Sequence, residues 1–317
     1  MKIGVPQGLM FFRYEAFVRE FLGNLGADVC YSGPSSGETL ERGTASCVSE
    51  ACLPVKLFCG HAAILTETGC RLAVPRVLRC EYGLSLCPKL AGLPELVKNG
   101  VPSSAAGEQP SENSGPFLFS RPLDLRDPKK LERQLSMEAG DIGVPVKRLR
   151  EAFRAGLSAQ ARDRSRQIRE HQYRRRVFLA GHPYNVHDPF ANLDLLNRLH
   201  RLDIGVIAGE AVPWHEKMLL CRSLMKQPYW SSFVENYGAA LHLARERAAD
   251  GIIYLSSFCC GTDSFTVDMI QSRMPQLPML VLKLDGHTGE AGLETRLQAF
   301  ADVLERRGRL AYLSPLR

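Results

Sequence analysis

Residues 2–33 read KIGVPQGLMFFRYEAFVREFLGNLGADVCYSG. KIGVP is a short apolar run that ends in a turn. The stretch after it is amphipathic, with Phe17, Phe21 and Leu25 at four-residue spacing, the period of one helix face. ADVCYSG is a second strand-like run, closed by GPSSGE. PVKLFCGHAAILTETG (54–69) continues as a helix and CRLAVPRVL (70–78) as another strand. The order βαβα predicts a parallel sheet covered by helices.

The plan repeats further along. Residues 101–115, VPSSAAGEQPSENSG, are rich in Pro, Ser and Gly and are expected as a mobile loop or insertion. FLFSRPLDL (117–125) returns as a strand. Residues 144–176 are expected to be a long helical stretch, made basic by Arg162, Arg164, Arg166, Arg169 and Arg174 to Arg176. It is either a solvated helix face or a docking face for an acidic partner. RRVFLAGHPYN is then strand and loop, NLDLLNRLHRL helix and DIGVIAGE strand. A helical region near 231–249 leads to the buried strand DGIIYLSSF. After a helix near 264–273 come the strand LPMLVLKLD and the amphipathic helix GLETRLQAFADVLERRG. The expected organisation is an N-terminal α/β domain over 1–100, a loop, strand and Arg-rich helical linker over 101–175, and a C-terminal α/β domain over 176–317. In parallel sheets of this kind, sites form at the carboxyl ends of the strands.

A chain of 317 residues is long enough for two cores. The net charge of +6 is a mild excess that does not by itself imply nucleic acid. No apolar stretch approaches the roughly eighteen residues of a membrane span. MKIGVPQGLMFF lacks the layout of a signal peptide, so a cytoplasmic location is expected. Ten cysteines are many for such a chain, and a disulfide scaffold is not expected with ample core and no export signal.

Cys30, Cys70 and Cys221 sit in settings that suit buried small hydrophobes. The others gather at three places. In CVSEACLPVKLFCGH (47–61), Pro54 places Cys52 at a helix N-terminus, where the dipole and free N–H groups favour a thiolate. Lys56 lies one turn on, and Cys59 two turns along the same face. CEYGLSLCP (80–88) follows a strand and holds Cys80 and Cys87. SSFCCGTDS (256–264) follows another and holds Cys259 and Cys260, with Gly261 permitting close backbone approach to a ligand. Zinc takes four tetrahedral ligands, usually in paired spacing, and no Cys-x-x-Cys occurs in the chain. The scattered pattern fits a thiolate-held iron–sulfur cluster better.

KIGVPQGLMFF, YSGPSS and SEACLPVKLFCGH together resemble the domain of unknown function found in large activator-related proteins of 2-hydroxyacyl-CoA dehydratases. GHPYNVHDPFANLDLLNRLHRLDIGVIAGE (181–210), FCCGTDSFTVDMI (258–270) and LKLDGHTGEAGLETRLQAF (282–300) resemble later parts of the same family. The resemblance covers most of the chain apart from 101–175. It implies two Rossmann-like parallel-sheet domains facing across a cleft. It also implies a 4Fe–4S cluster on three cysteines, carried here onto Cys52 and Cys87, which are 35 residues apart, and Cys260 of the Cys-Gly-x-Asp-Ser pattern. The electron donor would be an ATP-dependent activase, and the reaction the loss of water from a hydroxyacyl-CoA. Subunits of the family usually pair as dimers. A related branch holds a double-cubane 8Fe–9S cluster and reduces small molecules; Cys59, Cys80 and Cys259 are spare thiols for it. The chain has no G-x-x-x-x-G-K-S/T phosphate loop of its own, so the activase is expected to be a separate partner.

Among polar residues, His182 and Tyr184 of GHPYN are candidates for proton transfer or hydrogen bonding beside the cluster, with His187 and Asp188 close by. Glu50 is a candidate base. Asp285, His287 and Glu290 form a possible network after the last strand. Asp263 and Ser264 read as caps of the next helix. Trp214 and Trp230 read as core or interface. Two readings stand beside the enzyme: a non-enzymatic electron-relay subunit, and a binding module whose thiols are structural.

Overall fold

The computed structural model describes residues 2–80, 82–101, 117–137, 139–163, 167–286 and 290–313. The chain divides into two compact units, Met1–Arg164 with Tyr229–Ser231, and Ser165–Pro228 with Ser232–Arg317.

The first unit runs β1 (Lys2–Val5), α1 (Phe11–Leu25), β2 (Asp28–Tyr31), α2 (Gly37–Ala45), α3 (Leu53–Thr66), β3 (Arg71–Leu72) and β4 (Arg76–Arg79). It continues with α4 (Pro88–Ala91), α5 (Leu93–Gly100), β5 (Pro122–Asp124), α6 (Pro128–Ser136), α7 (Ala139–Ile142) and α8 (Val146–Arg162). The strands form two parallel sheets, β2-β1-β3 and β4-β5. CRLAVPRVL is therefore not one strand. Pro75 has no N–H to donate to a ladder, and the run breaks there: β3 joins β1, while β4 turns to β5. FLFSRPLDL is likewise a strand only over Pro122–Asp124, because Phe119 takes a left-handed φ of 62°.

Residues 117–163, all expected within the linker of 101–175, are built into this first unit. Leu149, Ala152 and Phe153 of α8 are buried in one core with Phe21, Leu22 and Leu25 of α1. The helical stretch expected over 144–176 stops at Asp163, and Arg175 and Arg176 instead open a strand. The Ser/Pro-rich stretch lies outside the described residues, apart from Val101.

Two close contacts set the geometry of this unit. Helix α1 has a break at Tyr14, whose φ of −118° and ψ of 26° are not helical. The Gln160 side chain bridges the break: its Nε2 donates to the Arg13 carbonyl (3.1 Å) and its Oε1 accepts from the Phe17 N–H (3.2 Å). These two groups would bond each other in an unbroken helix, so one amide replaces the missing rung. Helices α2 and α3 meet through glycine: a Cβ on Gly43 would lie 1.8 Å from the Lys56 carbonyl oxygen, and one on Gly60 would lie 1.8 Å from that of Thr39. Only residues without side chains allow that approach.

The second unit holds β6 (Arg175–Gly181), α9 (Pro183–Val186), α10 (Leu195–Arg201), β7 (Ile204–Ala208) and α11 (Trp214–Cys221). A composite helix follows: α12 (Ser231–Phe233, its first residue counted with the first unit), a π-helical segment (Val234–Gly238) and α13 (Ala239–Arg245). The unit ends with β8 (Gly251–Ser257), α14 (Gly261–Arg273), β9 (Met279–Leu284) and α15 (Glu290–Leu313). The sheet is fully parallel in the order β7-β6-β8-β9. Every residue of β8 is buried, as a strand covered on both faces requires. The mixed α/β architecture with parallel pairing is thus the one that the βαβα order predicts. Among the described residues no helix is long and apolar enough to cross a membrane.

Two predictions follow from the first unit. Gln160→Ala leaves a carbonyl and an N–H of α1 without their bridge, so urea unfolding should show a loss of about 2–4 kcal/mol. His61 of α3 is sealed from solvent, with Nε2 3.0 Å from Ser35 Oγ, and burial holds its pKa down to about 4. The native ring stays neutral where the unfolded chain takes up a proton, near 6.5. Its contribution is complete above that pH and is lost as pH falls toward about 4, by about 3 kcal/mol. Unfolding between pH 7 and 4.5 should show this slope in the native chain and a shallower one in His61→Gln.

Candidate functional site

The connection after β6 leads to β7 on one side of the sheet, and the connection after β8 leads to β9 on the other. β6 and β8 are neighbours, so their following loops part from each other and leave a crevice at the carboxyl ends. His182 follows β6 there, and Cys259 and Cys260 follow β8.

The backbone at this edge is unusual at two points. Gly181 has φ 148°, and a Cβ on it would stand 2.7 Å from the Leu255 carbonyl oxygen, so only glycine lets the end of β6 lie this close to β8. Its N–H donates to Asn236 Oδ1 (2.7 Å), from the π-helical segment. Cys259, exposed, takes a left-handed φ of 63°, a conformation that costs a non-glycine residue energy and is found at functional turns. That turn sets Cys260 as the N-cap residue of α14.

Asp263, in the first turn of α14, is the hub. Its carboxylate is completely buried. Oδ1 accepts from Tyr254 Oη (3.0 Å) and lies 3.2 Å from His182 Nε2, while Oδ2 accepts from the Ser257 N–H (3.3 Å). Burial alone would raise its pKa, but His182 outweighs it and holds the carboxyl below the usual range. Burial would likewise lower the pKa of His182, yet the Asp263 charge and hydrogen bond raise it well above the ordinary value. Burial, reinforced by the Asp263 charge, pushes the Tyr254 hydroxyl far up, so it remains a donor. His182 Nε2 also lies 3.7 Å from Cys260 Sγ, which in turn is 3.2 Å from Thr262 Oγ1. Tyr184 stacks on the His182 ring, with centroids 4.8 Å apart and planes 10° apart.

This arrangement is not a nucleophilic triad. A triad histidine takes the thiol proton with one nitrogen and is oriented by a carboxylate through the other. Here the same Nε2 faces both Cys260 and Asp263. What the group offers is a protonated imidazole beside a sulfur, or three donor atoms for a cation: one each from His182, Cys260 and Asp263, all within 4.8 Å of one another. A Cβ on Gly261 would meet nothing within 4 Å, so the space beside Cys260 is open.

In the first unit, Cys52 is the N-cap residue of α3 and Cys87 that of α4; both are half-buried and both precede a proline in the first turn. Lys89 Nζ donates to the Glu50 carbonyl (3.2 Å), which ties α4 to the loop before α3. The Glu50 carboxyl itself is exposed and is held below the usual range by bonds from its own backbone and Ser49, which makes it a weak base. Cys59 is sealed and hydrogen-bonded to Cys47. That bond holds the Cys47 thiol below its ordinary pKa, against burial and with help from Lys56 and Lys89; it pushes Cys59 far up, as does burial. Cys80 is also sealed.

Of the residues named from sequence, His182, Tyr184, Cys260 and Gly261 come together in the second unit. Glu50, Cys52 and Cys87 belong to the first. His287 lies outside the described residues. His187 Nε2 pairs with Glu210 Oε1 at 3.1 Å, and Asp188 Oδ1 accepts from the N–H groups of Phe190 and Ala191. Asp263 and Tyr254 were not legible as site residues. Asp263 has the sequence context of a helix cap, and the polar atom in DGIIYLSSF was the only signal for Tyr254.

Replacing one member of the buried pair should leave the other uncompensated. Asp263→Asn should cost about 2–4 kcal/mol in chemical unfolding. The double variant with His182→Gln should cost less than the sum of the two single variants, with a coupling of at least about 1 kcal/mol.

The sequence matches the family described as CoA enzyme activase uncharacterised domain over residues 2–212. No curated protein matches the chain. The matched stretch takes in the whole cysteine-bearing region of the first unit and, in the second, the β6 strand with His182 and Tyr184. With two thirds of its length matched, the chain belongs to the CoA enzyme activase uncharacterised domain family.

Proposed function

We propose that the chain is an iron–sulfur protein of this activase- and dehydratase-related group, with Cys52, Cys87 and Cys260 as thiolate ligands of a 4Fe–4S cluster. It takes low-potential electrons from an ATP-dependent activase and uses them for reductive or radical chemistry, hydroxyacyl-CoA dehydration being the named reaction. One observation carries the reading: each of the three cysteines is the N-cap residue of a helix, with its side chain making no capping bond to the first turn. First-turn N–H groups lack helical partners and favour negative charge at that position. The residues present fit such a group, since soft thiolates suit iron–sulfur clusters and all three are half-buried rather than sealed.

A cluster of this kind, when bound, supplies one-electron chemistry at a potential set by its surroundings. The chain's own residues would set those surroundings. His182, kept protonated by Asp263, directs a positive ring at the Cys260 sulfur. Tyr184 holds the plane of that ring by stacking. Gly261 leaves room at the sulfur for a substrate oxygen. A single cubane is preferred over the double one, because Cys59 and Cys80 are sealed in packing. A second reading has its own observation: His182, Cys260 and Asp263 converge tightly enough to hold one divalent cation.

Metal analysis on protein purified without oxygen separates these readings. The cluster predicts about four irons and four acid-labile sulfides per chain, with a broad absorbance at about 400 nm that air bleaches. Cys52→Ala, Cys87→Ala and Cys260→Ala should each lower the iron, while Cys221→Ala, at a buried site in neither set, should keep it. One zinc or iron without sulfide, lost in His182→Gln, would favour the mononuclear site. A folded chain that takes up neither metal nor sulfide would refute both.

A further inference from the structure

The first unit holds a partly open cavity of about 300 Å³ that the cysteine chemistry leaves unused. It lies among α1, the β4–β5 pair and helices α6 and α8, with Phe58 of α3, Leu90 of α4 and Leu93 of α5 also in its wall, and no cysteine lines it. Only two of its lining residues, Tyr14 and Gln160, have polar side chains. The Gln160 amide is already committed to both sides of the α1 break. A nucleotide, sugar or peptide placed inside would bury polar atoms without partners, which is costly. Hydrocarbon would not.

Shape and size narrow the class. The α1 residues that line the cavity run from Phe11 to Leu22, which at the helical rise spans about 16 Å. That length suits a chain better than a ring. An apolar cavity of about 150 Å³ admits benzene, so twice that volume holds about ten carbons. The rim has charge. Leu157 and Pro128 are lining residues exposed to solvent. Exposed Lys129 and Lys130 follow Pro128 directly, exposed Arg162 follows the lining residue Gln160 by two positions, and the exposed Asp127 before Pro128 is taken up by the N–H groups of Lys129 and Lys130, so the excess is basic.

We propose that this cavity binds the aliphatic chain of a medium-length anionic amphiphile, with its carboxylate or phosphate head at the basic rim. None of the proposed cluster ligands lines the site, although Phe58 and Leu90 of the two helices capped by Cys52 and Cys87 do. The test uses the full chain and the fluorescent fatty acid cis-parinaric acid. Saturable binding of about one probe per chain is expected, displaced by decanoate or by decanoyl-CoA. Displacement by decanoate assigns a free fatty acid, and displacement by decanoyl-CoA alone assigns the thioester. Decan-1-ol should compete at least ten-fold more weakly. Leu157→Trp, at the exposed rim, should weaken probe binding at least ten-fold. The surface variant Lys129→Glu/Lys130→Glu should weaken decanoate and leave decan-1-ol unchanged. No saturable binding, equal binding by Leu157→Trp, or equal competition by the alcohol would overturn the proposal.

Discussion

A carboxylate removed entirely from water must find its compensation in the protein, and Asp263 finds it on three sides. An unpaired buried charge costs several kcal/mol, more than half of what many domains have to spare. The Tyr254 hydroxyl, the Ser257 N–H and the His182 ring come from the middle of β8, from its end and from the loop after β6. None of the three can shift without exposing the charge to an apolar surround. The carboxylate therefore fixes the start of α14 against the carboxyl edge of the sheet, and with it the positions of Cys260 and Gly261. The strained turn at Cys259 persists because this network over-determines it.

The first unit fixes its helices by backbone proximity instead of charge. The glycines at the α2–α3 crossing let main chain touch main chain, and α3 is buried from its first turn onward. Its N-cap residue Cys52 is thereby placed by the packing of the whole helix rather than by a loop. The Cys47–Cys59 hydrogen bond holds the incoming chain to the same helix. On the other side of the unit, the Gln160 amide lets α1 bend without leaving a buried backbone group unsatisfied. That bend borders the apolar cavity, whose walls include Tyr14 at the bend and Phe11 and Phe17 on either side of it.

Local pattern carried the elements, and distant pairing decided the rest. The β1–α1–β2 order, the buried strand β8 and the closing helix were legible because periodicity reports which face is buried. The break at Pro75 was visible in the letters, but apolar residues on both sides masked it. Gln160 looked like one more polar residue on a basic helix; its partners lie 143 and 147 positions away. His182 and Cys260 were each legible as candidates, because a histidine and a cysteine just after strands carry chemistry. Their 3.7 Å approach was not, since it depends on the strand order β6-β8. Asp263 was misjudged for a related reason: an acid in a first turn usually serves its own helix, and here it serves a loop 81 residues back.

The sharing of one nitrogen by Cys260 and Asp263 decides what this edge can do. A histidine kept protonated is a poor base, so it cannot prepare a thiol for attack on a substrate carbonyl. The same ring brings a positive charge and a hydrogen-bond donor to the Cys260 sulfur. Hydrogen bonds to sulfur are one of the levers by which a protein sets the potential of a thiolate-held cluster. Around a single metal ion the same three residues would act instead as donors, His182 giving a ring nitrogen in its neutral form. In both arrangements Tyr184 holds the plane of the imidazole by stacking, and neither asks it to shuttle a proton. The geometry thus separates this edge from hydrolytic cysteine chemistry.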